Sequence, residues 1–591
     1  MVIVRDPLLD DLDAHQRVAV TSQHTPLAII APAGSGKTRV LTRRIAYRVR
    51  EGADARHVLA LTFTRKAARE IVDRLRALTG ISSVTAGTFH ATALAQLRRR
   101  AAERGAEPPR ILDRKTRIIA PLIGGRGAAA TVAVSEVAAE IEWAKSRLIA
   151  PDEYADAATA ARRRLPRPAD QLAELYARYE SEKRKKRLLD FDDVLRRSTD
   201  AITTDGAFAA AQRWRFRHLF VDEFQDTTPL QLQLLRAWLG DRHDLTVVGD
   251  PAQAIYGFAG ADAAPLLEFE HTFEGGITVA LVQNFRSTPG IVAMAEAALG
   301  DSSLGARQTP HASRAVGDPP TIRAYPDDDL EARGVADACW REFAAGVPWH
   351  EMAVLFRTNA QSSRFEAAFT ERGVPFNVAR GDRFVTRPVV RALLDRLRDA
   401  ERAGPGRGLA EHLADLAADD NELMYDDTRA HRDMLVEFGR EFLAGEDGPG
   451  GVAMFVGWLD TATRGDPERR SGVDLLTFHR AKGLEWPVVY VTGLERGLVP
   501  ISSAASDAAR DEERRLLHVA LSRAQARLQC SWARARTVGA RRSAREPSPW
   551  LGDLERVAAA HAATPRDRKD HIAALRDTLA GATPPPARRQ W

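Results

Sequence analysis

Cysteine is nearly absent: the chain carries only Cys339 and Cys530. Two thiols so far apart exclude a CxxC-type zinc or iron–sulfur cluster and suit a reducing compartment. No apolar run reaches the length of a membrane-spanning helix. The N-terminal residues, Met1 to Asp6, lack the long apolar core of a secretory signal, so a cytoplasmic protein is expected. Lysine is scarce too, with nine among 85 basic residues, and a coding bias toward arginine is the simplest cause. Against that background each lysine is informative, because a compact ammonium and a guanidinium are not equivalent. Lys37, Lys66, Lys145 and Lys482 all fall in the segments singled out below. A net charge of +5 suits nucleic acid, and equally a mildly basic solvated surface. A length of 591 residues exceeds one hydrophobic core, so three or four domains are expected.

What the chain does contain is organised around Ile29 to Arg39. Leu27 to Ile30 predicts a buried strand, a small Gly-containing loop follows, and a helical run starts at Val40. Strand, loop and helix in this order make a phosphate-binding P-loop; a chance Gly-rich turn is the alternative. Small residues let backbone N–H groups curl round phosphates, and the helix N-terminus adds partial positive charge. Lys37 would reach the terminal phosphates of ATP, and the Thr38 hydroxyl would ligate Mg²⁺. The candidate nucleotide-binding residues are Ala31, Pro32, Ala33, Gly34, Ser35, Gly36, Lys37, Thr38 and Arg39, with Ala31 where the pattern's first Gly is usual. Upstream, Leu12 to Val20 predicts a helix capped by Asp13. Its Gln16 is either a surface residue or a bidentate reader of adenine.

Val58 to Phe63 and Val84 to His90 repeat the strand-then-helix pattern, the α/β signature with ligands at strand C-terminal ends. Residues 92–189 are helical and rich in Ala and Arg, ending in Lys183-Arg184-Lys185-Lys186-Arg187. That basic run is a solvated helix face or a phosphate-contacting patch. His218 to Asp226 is an apolar strand ending in acids. Asp222 would hold Mg²⁺ and Glu223 would polarise the attacking water; an exposed turn is the alternative. After the next strand, Gln253 is placed to sense the γ-phosphate. Tyr256 and Phe258 are spaced for stacking on bases, or for core packing.

A second α/β unit runs through Ile277–Arg286, Met352–Arg357, Val473–Glu485 and Glu512–Ala524. Residues 387–472 interrupt it as a helical, polar, Gly/Pro-punctuated insertion. The expected fold is α/β, with two tandem lobes and mainly helical insertions. The first lobe is 1–91 with 190–276, interrupted by 92–189; the second is 277–386 with 473–555, interrupted by 387–472; 556–591 is a flexible tail. If the lobes face each other across a cleft, Arg286 and Arg523 both meet the γ-phosphate and make closure depend on ATP. Two α/β lobes sharing one P-loop make a motor, not a small-molecule kinase.

These residues resemble superfamily 1A DNA helicases of the UvrD/PcrA/Rep group. Leu12 to Gln16 resembles the Q motif, Ala31 to Thr38 motif I, Thr62 to Glu70 motif Ia and Gly87 to His90 motif Ib. Val221 to Asp226 is similar to motif II, Gly249 to Ala261 to motif III and Gln283 to Ser287 to motif IV. Thr477 to Glu485 is similar to motif V, Glu513 to Ala524 to motif VI, and Arg357 to Ser362 to a DNA-contact segment. The resemblance implies two RecA-like P-loop NTPase lobes, 1A and 2A, with insertions 1B and 2B. It implies ATP- and Mg²⁺-driven 3′→5′ movement on single-stranded DNA and at single-strand/duplex junctions, in DNA repair or replication-fork maintenance. The implied partners are repair proteins; the chain would be monomeric in solution and able to self-associate on DNA, with no membrane role. The resemblance carries strand-contact roles to Phe63, His90, Tyr256, Phe258, Asn359 and His479, and a ribose contact to Glu485.

The departures are specific. Arg65 replaces the usual Asn of motif Ia, Pro251-Ala252 the usual acids of motif III, Ala259 its usual Arg, and His518 a common Tyr. The motif III changes resemble an actinobacterial UvrD subgroup. The 2B region is about half the usual length and lacks a match to the family's Gly-Ile-Gly duplex-gripping segment, and no C-terminal nuclease is expected. Three functions are therefore weighed: a strand-displacing helicase, a translocase that strips proteins from single strands and unwinds little, and a binding module in which ATP only switches DNA affinity. Intact Lys37, Asp222, Glu223, Arg286 and Arg523 argue against the third.

Overall fold

Leu27–Ile30 is apolar at every position, as a strand covered on both faces must be. In the computed structural model it is β1, an inner strand of a six-stranded parallel sheet. The structure describes residue 6 and residues 8–562 except 113, 125–127, 301–308, 379–387, 405–406, 419–431, 433–434, 441, 444–450, 463–471 and 539–540. The other strands are β2 (Val58–Thr62), β3 (Thr85–Thr88), β4 (His218–Val221), β5 (Leu245–Gly249) and β6 (Ile277–Ala280), in the order β3-β2-β4-β5-β1-β6. The period-two alternation of strands sends Leu59 and Leu61 to one face of the sheet and Val58 and Ala60 to the other. The first face packs against Phe89 and Trp238, the second against Val40, Leu41 and Ile45. Each fully buried side chain of this kind contributes about 1.5–3 kcal/mol.

Four helices matter for the site: α1 (Ala14–Thr21), α2 (Lys37–Arg50), α3 (Arg65–Thr79) and α4 (Phe89–Glu103). A short pair, β7 (Gln283–Asn284) and β8 (His311–Ala312), leads into the second lobe. That lobe's parallel sheet contains β9 (Thr321–Tyr325), β10 (Met352–Phe356), β11 (Phe376–Val378), β12 (Val473–Thr477), β13 (Trp486–Val491) and β14 (Ala524–Ala533). Their order is β11-β12-β10-β13-β14-β9.

Three boundaries differ from the sequence expectation. Ile277–Ala280, assigned to the second lobe, pairs with β1 as the edge of the first sheet. The helix α4 runs on to Glu103 with Ala93 in the first lobe's core, so the insertion begins later than residue 92, and its own core starts at Leu112. At the other end, Leu551–Ala562 is a helix whose Leu551 and Leu554 join the second lobe's core, so the lobe extends past residue 555. The tail expected over 556–591 lies outside the described residues from 563 on. So does much of the Gly/Pro-punctuated stretch of the second insertion, whose described helices include Pro388–Ala403, Leu409–Ala417 and Val452–Ala462.

Part of the basic run at 183–187 turns inward. Lys183 is 1% exposed and, with Lys145, sits against Glu180, Asp190 and Asp193. Asp190 also accepts the Tyr179 hydroxyl at 2.8 Å and caps the helix Phe191–Thr204. Lys183 therefore serves neither alternative; Lys185 and Lys186 stay exposed and pair with Glu182.

Candidate active site and nucleic-acid track

The β1, β5 and β4 strands lie side by side, so their C-terminal ends deliver the P-loop, Asp250 and Asp222 to one edge of the sheet. That edge is where ligands bind in parallel α/β sheets. The P-loop is tied down by Ala31 N–H donating to the Gly249 carbonyl (2.9 Å) and the Ser35 hydroxyl donating to the Pro32 carbonyl (2.7 Å). Gly34 and Gly36 have φ of +74° and +84°, a region that side chains avoid. A Cβ on Gly34 would also lie 2.7 Å from the Cβ of Arg286. No side chain caps α2, which leaves its first N–H groups for an anion.

Gln16 is fully buried and works differently from either alternative. Its Nε2 donates to the Ser35 carbonyl at 2.9 Å and its Oε1 accepts from the Asp13 N–H at 3.3 Å. The Nε2 end braces the P-loop and the Oε1 end closes the cap of α1, so the expected contact with adenine is not poised here. Arg39 turns away to the Asp11 carbonyl at 2.6 Å. Phe285, an aromatic ring absent from the sequence candidates, is 40% exposed beside the loop, its N–H donating to the Gly34 carbonyl at 2.8 Å. Its position between two motif residues could have flagged it as a flat apolar face for a base.

Lys37 Nζ lies 3.8 Å from Glu223 Oε2. Burial and the neighbouring Glu223 push the Asp222 carboxyl up to about 7. Glu223 is half-buried, and Lys37 and Lys482 hold it down at about 2, a standing carboxylate. Glu223 has φ of +51°, a strained conformation for a residue with a side chain. The Asp222 carboxylate accepts the Glu223 N–H at 3.0 Å. A buried carboxylate on this edge and the Thr38 hydroxyl at the head of α2 are hard-oxygen donors of the kind that fits Mg²⁺.

Both arginines reach this edge from the second lobe's side. Arg523 lies in the turn between the helix Asp507–Leu521 and β14, not on the helix. It is 1% exposed and donates to the carbonyls of Val519 (2.8 Å) and Leu484 (3.2 Å) and to Gln253 Oε1 (3.3 Å). Burial, then the charge of Arg286, lowers its guanidinium to about 9. Gln253 in turn donates to Asp250 at 2.6 Å. Arg286 pairs with Glu485 and donates to the Ser522 carbonyl at 3.3 Å; its Nε is buried without a hydrogen-bond partner among the described residues. Here Glu485, expected on a ribose, is shared by Arg286 and Gln525. Lys482 adds a cross-lobe anchor, on Asp226 Oδ2 at 2.5 Å and on the Gln253 carbonyl at 2.6 Å.

The strand-contact candidates fall into two groups. Tyr256, Phe258 and His479 form a chain of rings, Tyr256–Phe258 at 6.3 Å and Phe258–His479 edge-on at 5.6 Å. Phe258 is 55% exposed, which rules out core packing. Burial and the nearby charges of Arg357 and Lys482 lower His479 to about 4, so it is a neutral ring at physiological pH. Phe63 tilts against Phe89 at 6.4 Å, and His90, next along α4, meets Phe191 edge-on at 5.9 Å. Phe191, the first residue after the Asp190 cap, lies just past the expected insertion, where no motif marks it. Asn359 is exposed in the turn after β10.

Comparison with known proteins matches this arrangement. The profile of the UvrD/REP helicase N-terminal domain covers residues 12–274, and that of the UvrD-like helicase C-terminal domain covers 279–403 and 458–535. The chain is 39% identical to the ATP-dependent DNA helicase UvrD2 of Mycobacterium bovis and to that of Mycobacterium tuberculosis, over 98% of its own length and 86% of theirs. It is 28% identical to the ATP-dependent DNA helicase PcrA of Leuconostoc citreum, over 95% of this chain and 87% of that one. With both domain profiles matched in order and identity sustained along nearly the whole chain, the protein belongs to the UvrD/REP helicase family.

Proposed function

We propose that this chain is an ATP-dependent DNA helicase that moves 3′→5′ along single-stranded DNA and separates strands at junctions during DNA repair or fork maintenance. The observation that carries the reading is the cleft: a P-loop with Asp222 and Glu223 on one wall, Arg286 and Arg523 on the other, and Gln253 bonded across it. The helicase names of the relatives and the order of the motifs support it.

The chain's residues divide the work of hydrolysis. The P-loop N–H groups and Lys37 hold the β- and γ-phosphates, and the Phe285 ring offers a surface for the base. Thr38 and Asp222 would hold Mg²⁺, which when bound neutralises phosphate charge. Glu223, kept ionised, orients and polarises the attacking water. Arg286 and Arg523 neutralise charge that develops on the transferred phosphoryl group, a contribution of about 10³–10⁵ in rate for arginines so placed. Because both arginines travel with the second lobe, turnover opens and closes the cleft, and the rings from Tyr256 to His479 advance on the bases.

The test is ATP hydrolysis with and without single-stranded DNA, followed by displacement on duplexes with a 3′ or a 5′ tail. DNA-stimulated hydrolysis and displacement from the 3′ tail are expected. Absence of stimulation defeats the motor reading, and preference for a 5′ tail reverses the polarity. The shortened second insertion favours a second reading, a translocase that clears bound proteins from single strands. Stimulated hydrolysis without displacement would select it.

A further inference from the structure

One loop of the first lobe joins the two halves of the site: Gln253 at one end faces the nucleotide cleft, and Phe258 at the other carries the exposed ring. The second lobe grips this loop through the helix Asp507–Leu521. Arg515 Nε donates to the Ala254 carbonyl at 2.7 Å. One turn earlier, Glu512 Oε1 accepts the Phe258 N–H at 3.4 Å, and the Gly257 N–H faces the same carboxylate. Residues at i and i+3 on a helix share a face, so a cation and a carboxylate present themselves side by side, one to the loop's carbonyl and one to its N–H groups. The fit is close: a Cβ on Gly257 would lie 2.7 Å from Glu512 Oε2. Lys482 holds the loop's head through the Gln253 carbonyl and Arg523 through the Gln253 side chain.

We propose that Glu512 and Arg515 are positioning residues that grip the 254–258 loop from the second lobe and so convert closure of the nucleotide cleft into movement of Phe258 on the DNA. Neither touches nucleotide or strand; both act through the loop. The polarity of the grip matters. Three second-lobe cations hold the end of the loop near the nucleotide, while Glu512 holds the N–H groups that set the Phe258 ring. Loss of Glu512 therefore leaves Gln253 bound to Arg523 and leaves the far end held by Arg163 and Ser146 of the first lobe's insertion, so that it lags behind the second lobe. Glu512→Gln keeps one amide oxygen able to accept an N–H, so it retains part of the coupling. The inference rests on the motor reading above and deepens it.

The experiment compares Glu512→Ala, Glu512→Gln and Arg515→Ala with the unaltered chain. It measures hydrolysis without DNA, hydrolysis with single-stranded DNA, and nucleotides advanced per ATP. For Glu512→Ala, DNA-free hydrolysis and the KM for ATP stay within about twofold, while nucleotides advanced per ATP fall by at least about fivefold. Arg515→Ala shifts the same way, and Glu512→Gln recovers at least half of the loss. Fluorescence of 2-aminopurine in the bound strand gives a second readout: an ATP analogue perturbs it in the unaltered chain and not in Glu512→Ala. Unchanged advance per ATP in Glu512→Ala overturns the proposal, as does a parallel fall in DNA-free and DNA-stimulated rates, which marks general damage. If the unaltered chain shows no DNA stimulation, the motor reading itself fails.

Discussion

Arg523 illustrates how much a single side chain is fixed by its neighbours. Two backbone carbonyls hold its guanidinium before any phosphate arrives, so little freedom is lost when charge develops beside it. Arg523→Ala is expected to bind ATP with affinity close to that of the unaltered chain and to lower kcat by about 10³-fold or more. Equilibrium binding of a fluorescent nucleotide alongside steady-state hydrolysis checks both halves, and turnover within tenfold of normal would remove Arg523 from the cleft chemistry. His479 makes the opposite point about charge. Its folded pKa of about 4 lies below the ordinary 6.5, so burial favours the neutral ring. The sign follows: the contribution to stability is complete above 6.5 and is lost as pH falls through 4. A neutral ring stacks on bases and does not pair with phosphate, a contact of about 1–3 kcal/mol per base. His479→Ala should weaken single-strand binding by the same factor at about pH 6 and pH 8.5. Titration by fluorescence anisotropy measures it; a loss confined to the acidic condition would mean that the imidazolium binds phosphate.

At the scale of elements, the helix Phe191–Thr204 begins where the first insertion rejoins its lobe, and Asp190 does three things there. It caps the helix, accepts Tyr179, and meets Lys145 and Lys183 inside the protein. Two lysines are easily held when carboxylates surround them, and burial alone would drive Lys145 to lose its proton, which the acids prevent. Removing one partner of such a cluster leaves buried charge uncompensated. Asp190→Ala is expected to destabilise the protein by about 3 kcal/mol or more, read as the shift of a denaturant midpoint at constant slope. A change within about 0.5 kcal/mol would show that Glu180 and Asp193 suffice. None of this was legible in the sequence, where Lys183 was one of a run of charges. Legibility followed local causes. The strand Leu27–Ile30, the Asp13 cap and the P-loop turn are set by neighbours a few residues away, and all three stand where the pattern put them. The strand Ile277–Ala280 does not: an edge strand joined through a crossover has no local mark saying which sheet it enters. Nor could an amide on α1 announce that a carbonyl nineteen residues away would engage it.

For the whole molecule, the cleft is mostly acidic on the first lobe's wall and mostly basic on the second's, Lys37 and Glu485 being exceptions. The first lobe contributes Asp222, Glu223, Asp226 and Asp250; the second contributes Lys482, Arg515 and Arg523. Opposed walls of this kind attract each other before nucleotide arrives, and Lys482–Asp226 is a buried link between them, with 7% of the lysine side chain exposed against 5% for Asp226. Buried pairs are poorly screened by salt, so this contact holds the lobes together under ordinary ionic conditions. On the proposed function, nucleotide would add a second set of links, from Lys37 on one wall and the two arginines on the other. The two sets are separable. Lys482→Ala should widen the distance between fluorophores placed on the two lobes when nucleotide is absent, and a non-hydrolysable ATP analogue should restore closure through Arg286 and Arg523. In Lys37→Ala the resting distance should match the unaltered chain, and the analogue should fail to tighten it. A resting distance unaffected by Lys482→Ala would mean that the lobes are held elsewhere, the grip of the helix Asp507–Leu521 on the 254–258 loop being the next contact to cut.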